Sequence, residues 1–177
     1  MRALDCRTLW RHIDSVMPPI TALLHTKNDA PRLGRALEML LPCAELLIVD
    51  HHSSDATLRI AREYGAHTIP ADKTAPAEHY LAKARHDWIF CLAPSESISE
   101  GLQATLYEWA SSPTNNSAGA AAYAVTVREQ VSEIWQNCST QEVRLIPRNW
   151  TRWQGWLPGS DPTAKILEGQ LLRIAFP

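Results

Sequence analysis

Hydrophobic and polar positions alternate along this chain in blocks. Ile20 to Leu24 is a short apolar run that ends in the polar stretch His25-Thr26-Lys27-Asn28-Asp29. Pro31 then stands near the start of a segment in which Leu33, Ala36, Leu37, Leu40 and Leu41 recur at helical spacing, so the pattern predicts strand, polar loop and amphipathic helix. Pro42 closes that helix, and Leu46 to Val49 predicts a second strand running straight into Asp50. Ser54 is placed to cap a helix with Thr57, Ile60, Ala61 and Tyr64 on one face and Gly65 at its end. Ala66 to Ile69 reads as a third strand, Pro70 to Pro76 as a connection, and Glu78 to Arg85 as a small helix. Trp88 to Leu92 is a fourth apolar run, after which Ser99 can cap a helix bearing Leu102, Thr105, Leu106, Trp109 and Ala110. Beyond the loop Ser111 to Gly119 the period drops to two, with Tyr123, Val125 and Val127 alternating against Ala124, Thr126 and Arg128. Val143 to Ile146 and Leu171 to Phe176 predict further strands.

Strands that alternate with helices argue an α/β fold: an open, mainly parallel sheet flanked by helices, here with a β-rich C-terminal part. Residues 1–19 read as an N-terminal extension, with a short helix over Met1 to Met17 that carries Leu4, Leu9, Ile13 and Val16 and is stopped by Pro18-Pro19. Residues 20–177 read as one domain, in keeping with 177 residues of which 45% are hydrophobic. No repeat or heptad appears, which excludes solenoids and coiled coils.

Charge narrows the partners. Seventeen basic against 19 acidic residues give a net charge of -2, which argues against nucleic acid and against an anionic membrane surface. Cys6, Cys43, Cys91 and Cys138 form no C-x-x-C pair and sit mostly in apolar surroundings, as expected of reduced thiols. The N-terminus has no continuous apolar core of an export signal, and no stretch approaches the roughly 20 apolar residues of a spanning helix. The expectation is an unexported, cytoplasmic protein without a membrane span. The triplets at Asn115, Asn137 and Asn149 therefore carry no weight as glycosylation sites.

Ligands of open α/β sheets bind at the carboxyl edge of the strands, and Asp50 arrives there directly behind four apolar residues. A carboxylate so placed needs a partner or water, which favours a ligand role. Asp55, in the turn that follows, reads equally as a carboxylate favoured by the start of a helix. His51 and His52 are neighbours at a strand end and point to opposite sides, which suits solvent or packing better than a metal pair. Trp150, Trp153 and Trp156, spaced by three, read either as core packing or as a sugar-stacking platform.

Taken in order, these stretches resemble glycosyltransferase family 2, of GT-A fold, and in particular bacterial proteins related to lipopolysaccharide core transferases. His25-Thr26-Lys27-Asn28-Asp29 is similar to the family's T-K-N-E loop, and Val49-Asp50-His51-His52-Ser53-Ser54-Asp55-Ala56-Thr57 to V-D-x-G-S-T-D-x-T. Asp87 to Leu92 stands where the family has G-D-W-h-h-x-L, Val143 to Arg148 resembles V-R-L-F-R-R, and Arg152-Trp153-Gln154-Gly155 resembles R-W-x-G. The resemblance implies transfer of a sugar from a UDP- or GDP-type nucleotide sugar to a saccharide or envelope glycoconjugate. It puts Thr26, Asn28, Asp29 and Asp50 at nucleotide-binding positions. It also implies a divalent metal, magnesium or manganese, held by D-x-D-E. Here Ala93-Pro94-Ser95-Glu96 stands instead, leaving Glu96 as the metal carboxylate, and Leu157-Pro158-Gly159 replaces the group's V-H-E. The competing expectation is a non-catalytic relative that binds nucleotide or saccharide as a module or scaffold. The sequence leaves open a homo-oligomer or a partner protein.

Overall fold

The computed structural model describes residues 20–111, 122–131 and 134–174, so the N-terminal extension and most of the Ser111 to Gly119 loop lie outside the described residues. Apolar runs set the centre of the sheet. β1 (Ile20–Thr26) is flanked in parallel by β2 (Glu45–Asp50) and β4 (Trp88–Leu92), with Leu23 level with Leu47 on one side and Cys91 on the other. β3 (His67–Pro70) adds in parallel to β2. Helix α1 (Ala30–Glu38) follows β1, α2 (Thr57–Glu63) follows β2, and the one-turn α3 (Glu78–Leu81) precedes β4.

After β4 the chain makes the short β5 (Glu96–Ile98) and α4 (Glu100–Ser111), then β6 (Tyr123–Val131) and β7 (Ile134–Pro147). The two-residue strands β8 (Trp153–Gln154) and β9 (Leu157–Pro158) form a hairpin, and β10 (Lys165–Ile174) closes the order. The main sheet has eight strands in the order β3-β2-β1-β4-β7-β6-β10-β5. β7 is antiparallel to β4 and to β6, β10 is parallel to β6, and β5 is antiparallel to β10.

That order forces the sheet to curl. β5 lies four ladder steps from β4, about 19 Å on a flat sheet, yet Leu92 and Glu96 are four residues apart and can span at most about 14 Å. Curling returns the far edge to the carboxyl end of β4. Two core layers result. Ile20, Ala22 and Leu24 pack with Leu33, Leu37, Leu102, Leu106 and Trp109 of α1 and α4, while Leu23, Val49, Cys91 and Ile146 pack with Tyr80, Leu81 and Trp150 on the other face.

Several local expectations shift. α2 begins at Thr57 rather than behind Ser54, whose N–H goes to Asn28 Oδ1 instead; Asp55 Oδ1 accepts the Thr57 N–H at 2.9 Å. The small helix ends at Leu81 instead of Arg85, and β3 starts one residue late. Val143 to Ile146 is the end of a 14-residue strand, and the last strand starts at Lys165. Ser99 does cap its helix, accepting the Leu102 N–H. Cys43 and Cys91 are buried free thiols that burial pushes up to about 12.

Candidate functional site

The carboxyl ends of β1 and β2 are joined into one edge by their own polar side chains. Asp50 is buried at 7% exposure, with Oδ2 accepting the Ser53 N–H at 3.0 Å and Oδ1 the Thr26 hydroxyl at 3.4 Å. Asn28, at φ 55°, donates its N–H to Ser53 Oγ and accepts the Ser54 N–H on Oδ1, both within 2.9 Å. Asp29 donates its N–H to Thr57 Oγ1 and accepts the Lys27 N–H at 2.8 Å, while Asp55 Oδ2 accepts the Ala30 N–H at 3.1 Å. Thr26, Asn28, Asp29 and Asp50 are thus brought together, each locked by a bond across or within the two loops. Locking both loops costs their conformational entropy at folding rather than at binding, so the edge is preorganised. The Thr57 hydroxyl beside Asp55, then its own N–H and that of Ala30, hold the Asp55 carboxyl below its ordinary range.

On the opposite face of the same strand ends lies an aromatic cluster. His25 Nδ1 and His51 Nε2 are 3.0 Å apart, and the Trp156 indole stacks on His25 with centroids 4.5 Å apart and planes 18° apart. Tyr80 meets His25 edge-on at 5.2 Å, and its hydroxyl accepts the Asp72 N–H at 2.8 Å. Burial first, and the neighbouring His51 second, lower the His25 pKa to about 3. His51 is also lowered, burial outweighing the nearby Asp50 charge. His52 turns outward at φ 59° and is exposed.

Trp156 rides on the β8–β9 hairpin, whose bend is Gly155 at φ 62°. The neighbouring Trp150 is buried, donates its indole N–H to the Arg152 carbonyl and carries the Arg152 guanidinium 4.6 Å over its ring. Arg152 also pairs with Asp161, which is held below its ordinary range chiefly by the Thr163 N–H and hydroxyl. The three tryptophans therefore do not form one platform: Trp150 packs, Trp153 is half-buried, and Trp156 alone of the three reaches the ligand edge.

Glu96 stands at the carboxyl end of β4, where its Oε2 accepts the Ala93 N–H at 2.9 Å. Its Oε1 accepts Arg144 at 3.0 Å and both Nε and a terminal nitrogen of Arg173 at 3.0 and 2.7 Å, with the side chain wholly buried. A divalent cation does not fit this donor set, since the carboxylate already faces two guanidinium charges. No cluster of three or more His, Cys, Asp or Glu side chains suited to a metal occurs among the described residues. Neither Arg144 nor Arg173 could be assigned to Glu96 from spacing, because 48 and 77 residues separate them from it. His25 and Trp156 were equally hidden as partners.

A separate hollow of about 610 Å³ lies at the other end of the parallel strands, lined by Leu37, Leu41, Cys43, Tyr64, His67 and Arg85. It is apart from the ligand edge and carries no convergent catalytic groups. Among the described residues, no helix is long and apolar enough to cross a membrane.

No protein-family model matches the chain. In sequence it is similar to an uncharacterized glycosyltransferase of Rickettsia felis, 32% identical over 95 residues that make up 49% of this chain and 32% of the relative. A second, from Rickettsia bellii, is 32% identical over 92 residues, 48% of this chain and 30% of the relative. The chain spans about a third of the length of the curated relatives it matches. Solved structures similar to it include glucosyl-3-phosphoglycerate synthase from Mycobacterium tuberculosis in complex with Mn2+, UDP and glucosyl-3-phosphoglycerate, at 14% identity over 73% of this chain and 50% of that one, TM-score 0.45. S. aureus TarS 1-349 is 12% identical over 63% of this chain and 35% of that one, TM-score 0.45. The glycosyltransferase resemblance read from the motifs is borne out by these relatives, in a mixed α/β chain with a large sheet flanked by helices.

Proposed function

We propose that this chain binds a UDP- or GDP-type nucleotide sugar at the carboxyl edge of β1 and β2 and serves glycosyl transfer to a saccharide or envelope glycoconjugate. The observation that carries this reading is the two-loop edge itself, in which Thr26, Asn28, Asp29 and Asp50 meet around one carboxylate. Each Asp50 oxygen accepts one hydrogen bond from the two loops and keeps a lone pair for a donor N–H of a nucleobase. The exposed Lys27 ammonium on the same loop supplies positive charge for a diphosphate. With Glu96 enclosed by two arginines, nucleotide binding on this reading needs no divalent cation. That enclosure also favours a second reading, a relative that binds nucleotide sugar without transferring it.

Calorimetric titration with UDP and GDP, in chelator and then in manganese, tests the binding. One of them is expected to bind equally well in both, and Asp50→Asn is expected to weaken it at least about tenfold, the worth of one charged hydrogen bond. Failure of both nucleotides to bind would sink the proposal. Incubation with the matching nucleotide sugar separates the two readings, because release of nucleoside diphosphate marks transfer and its absence marks binding alone.

A further inference from the structure

Glu96, Arg144, Arg173 and Glu142 form a cluster with two positive and two negative charges. Glu142 Oε2 accepts from the same two guanidiniums as Glu96, at 2.6 and 2.9 Å. The four side chains differ in access: Glu96 and Arg144 are sealed at 0% and 1% exposure, whereas Arg173 and Glu142 keep 27% and 28%. The exposed pair opens on a groove of about 520 Å³, whose facing wall is Gln154, Leu157 and Pro158 of the β8–β9 hairpin. By strand order Glu142 and Arg144, on β7, lie two strands from β1 of the two-loop edge, with β4 between. Arg144 follows the Phe90–Leu145 pairing of β4 and β7, and β4 is the direct neighbour of β1.

Arg144 borders this groove with a sealed side chain, so its Nε, which has no acceptor among the described residues, is out of reach of a ligand. The polar groups open to a ligand are Glu142, Arg173 and Gln154.

Charge decides what that ligand is. An anion would have to displace Glu142 from two short ion-paired bonds. Burial pushes the Glu142 carboxyl up, but hydrogen bonding from Arg173 and the two guanidinium charges outweigh it and keep the group ionised. A cation would face the guanidiniums. An uncharged polyol meets neither obstacle: its hydroxyls can donate to Glu142 and accept from Arg173 and the Gln154 amide, while an apolar ring face rests on Leu157 and Pro158. We infer that this groove is a saccharide subsite for an uncharged hexose-type ring, with Glu142 and Arg173 as its direct hydrogen-bonding residues. Its role as the acceptor side rests on the glycosyl-transfer reading, but sugar binding there does not need the nucleotide.

Saturation-transfer NMR on the full chain tests it, with glucose, galactose, mannose and N-acetylglucosamine as neutral probes and glucuronate as the anionic one. At least one neutral sugar is expected to take up saturation, and the signal is expected to fall about fivefold or more in Glu142→Gln and in Gln154→Ala. Gln154 is exposed and outside the charge cluster, so its variant reads the groove even if Glu142→Gln unfolds. UDP and GDP titrations of the same proteins run alongside; sugar binding without nucleotide binding supports this inference and overturns only the nucleotide reading. No transfer to any neutral sugar, transfer unaltered in Gln154→Ala, or preference for glucuronate over glucose would each overturn it.

Discussion

His25 stays neutral at ordinary pH because a proton on it would place a charge between His51, Tyr80 and the Trp156 indole, with little water to solvate it. Its folded pKa of about 3 lies below its ordinary 6.5, so the unfolded chain binds the extra proton between those values. The stability this group contributes is whole above pH 6.5 and is lost as pH falls towards 3; His51, also lowered, acts in the same direction. The melting temperature should therefore drop between pH 7 and 5, above the carboxylate range, and His25→Gln should flatten that slope in thermal scans across pH. Glu96 is the second decisive residue. Glu96→Gln removes the buried counter-charge of Arg144 and leaves it only the partly exposed Glu142, and about 3 kcal/mol of stability should be lost in urea unfolding. A carboxylate serving only as a metal ligand would show no such loss without metal. Neither effect was legible in the sequence, which placed Glu96 by motif but could not supply arginines from β7 and β10.

The β8–β9 hairpin shows how a small element couples distant parts of the chain. Its tip puts Trp156 on His25, while Gln154 and Leu157 on its strands line the charge-cluster groove. Trp156→Ala removes one stacked aromatic pair and should cost about 1 kcal/mol, read from the urea midpoint, with Tyr80 and His51 left in place. Backbone geometry makes a sharper case at Gly169. At φ 92°, with an added Cβ only 2.2 Å from the Leu102 nitrogen, it permits β10 to pass against the start of α4. Gly169→Ala should cost on the order of 3 kcal/mol in the same experiment, since strain and overlap act together. At this scale the sequence was most readable where periodicity was strong. The runs of β1, β2 and β4 and the helical stripes of α1 and α4 appear as expected. It was least readable where strands are short or polar: β5 is only Glu96-Ser97-Ile98, and the Gln136 to Gln141 stretch concealed most of β7.

At the scale of the sheet, the β1–β4 half and the β6–β10 half meet through β4 against β7 and again through Glu96 against Arg173. The first meeting follows from sheet order, the second from curl, and what was visible beforehand was the alternation of strands and helices and the β-rich C-terminal part. The two-loop edge was legible because its residues are contiguous in two short motifs. The residues of the opposite face were hidden because His25 and Trp156 lie far apart in the chain. If the curl holds the halves together, a chain ending at Ala164 should lose more than β10. β6 would lack its parallel neighbour and β5 its strand partner among the described residues. Hydrogen exchange of such a fragment should show protection retained in β1, β2 and α1 but lost in β5 and α4.

The curl also sets a timetable for synthesis. Glu96 leaves the ribosome 48 residues before Arg144 and 77 before Arg173, so through that interval it is a charge destined for the interior with no counter-charge yet made. The early strands can pair as they emerge, but among the described strands β5 has no partner until β10 is made. Synthesis of β10 is therefore the event that allows β5 to pair, and the interval before it is when an unfinished chain exposes its unpaired strand edges to neighbouring nascent chains.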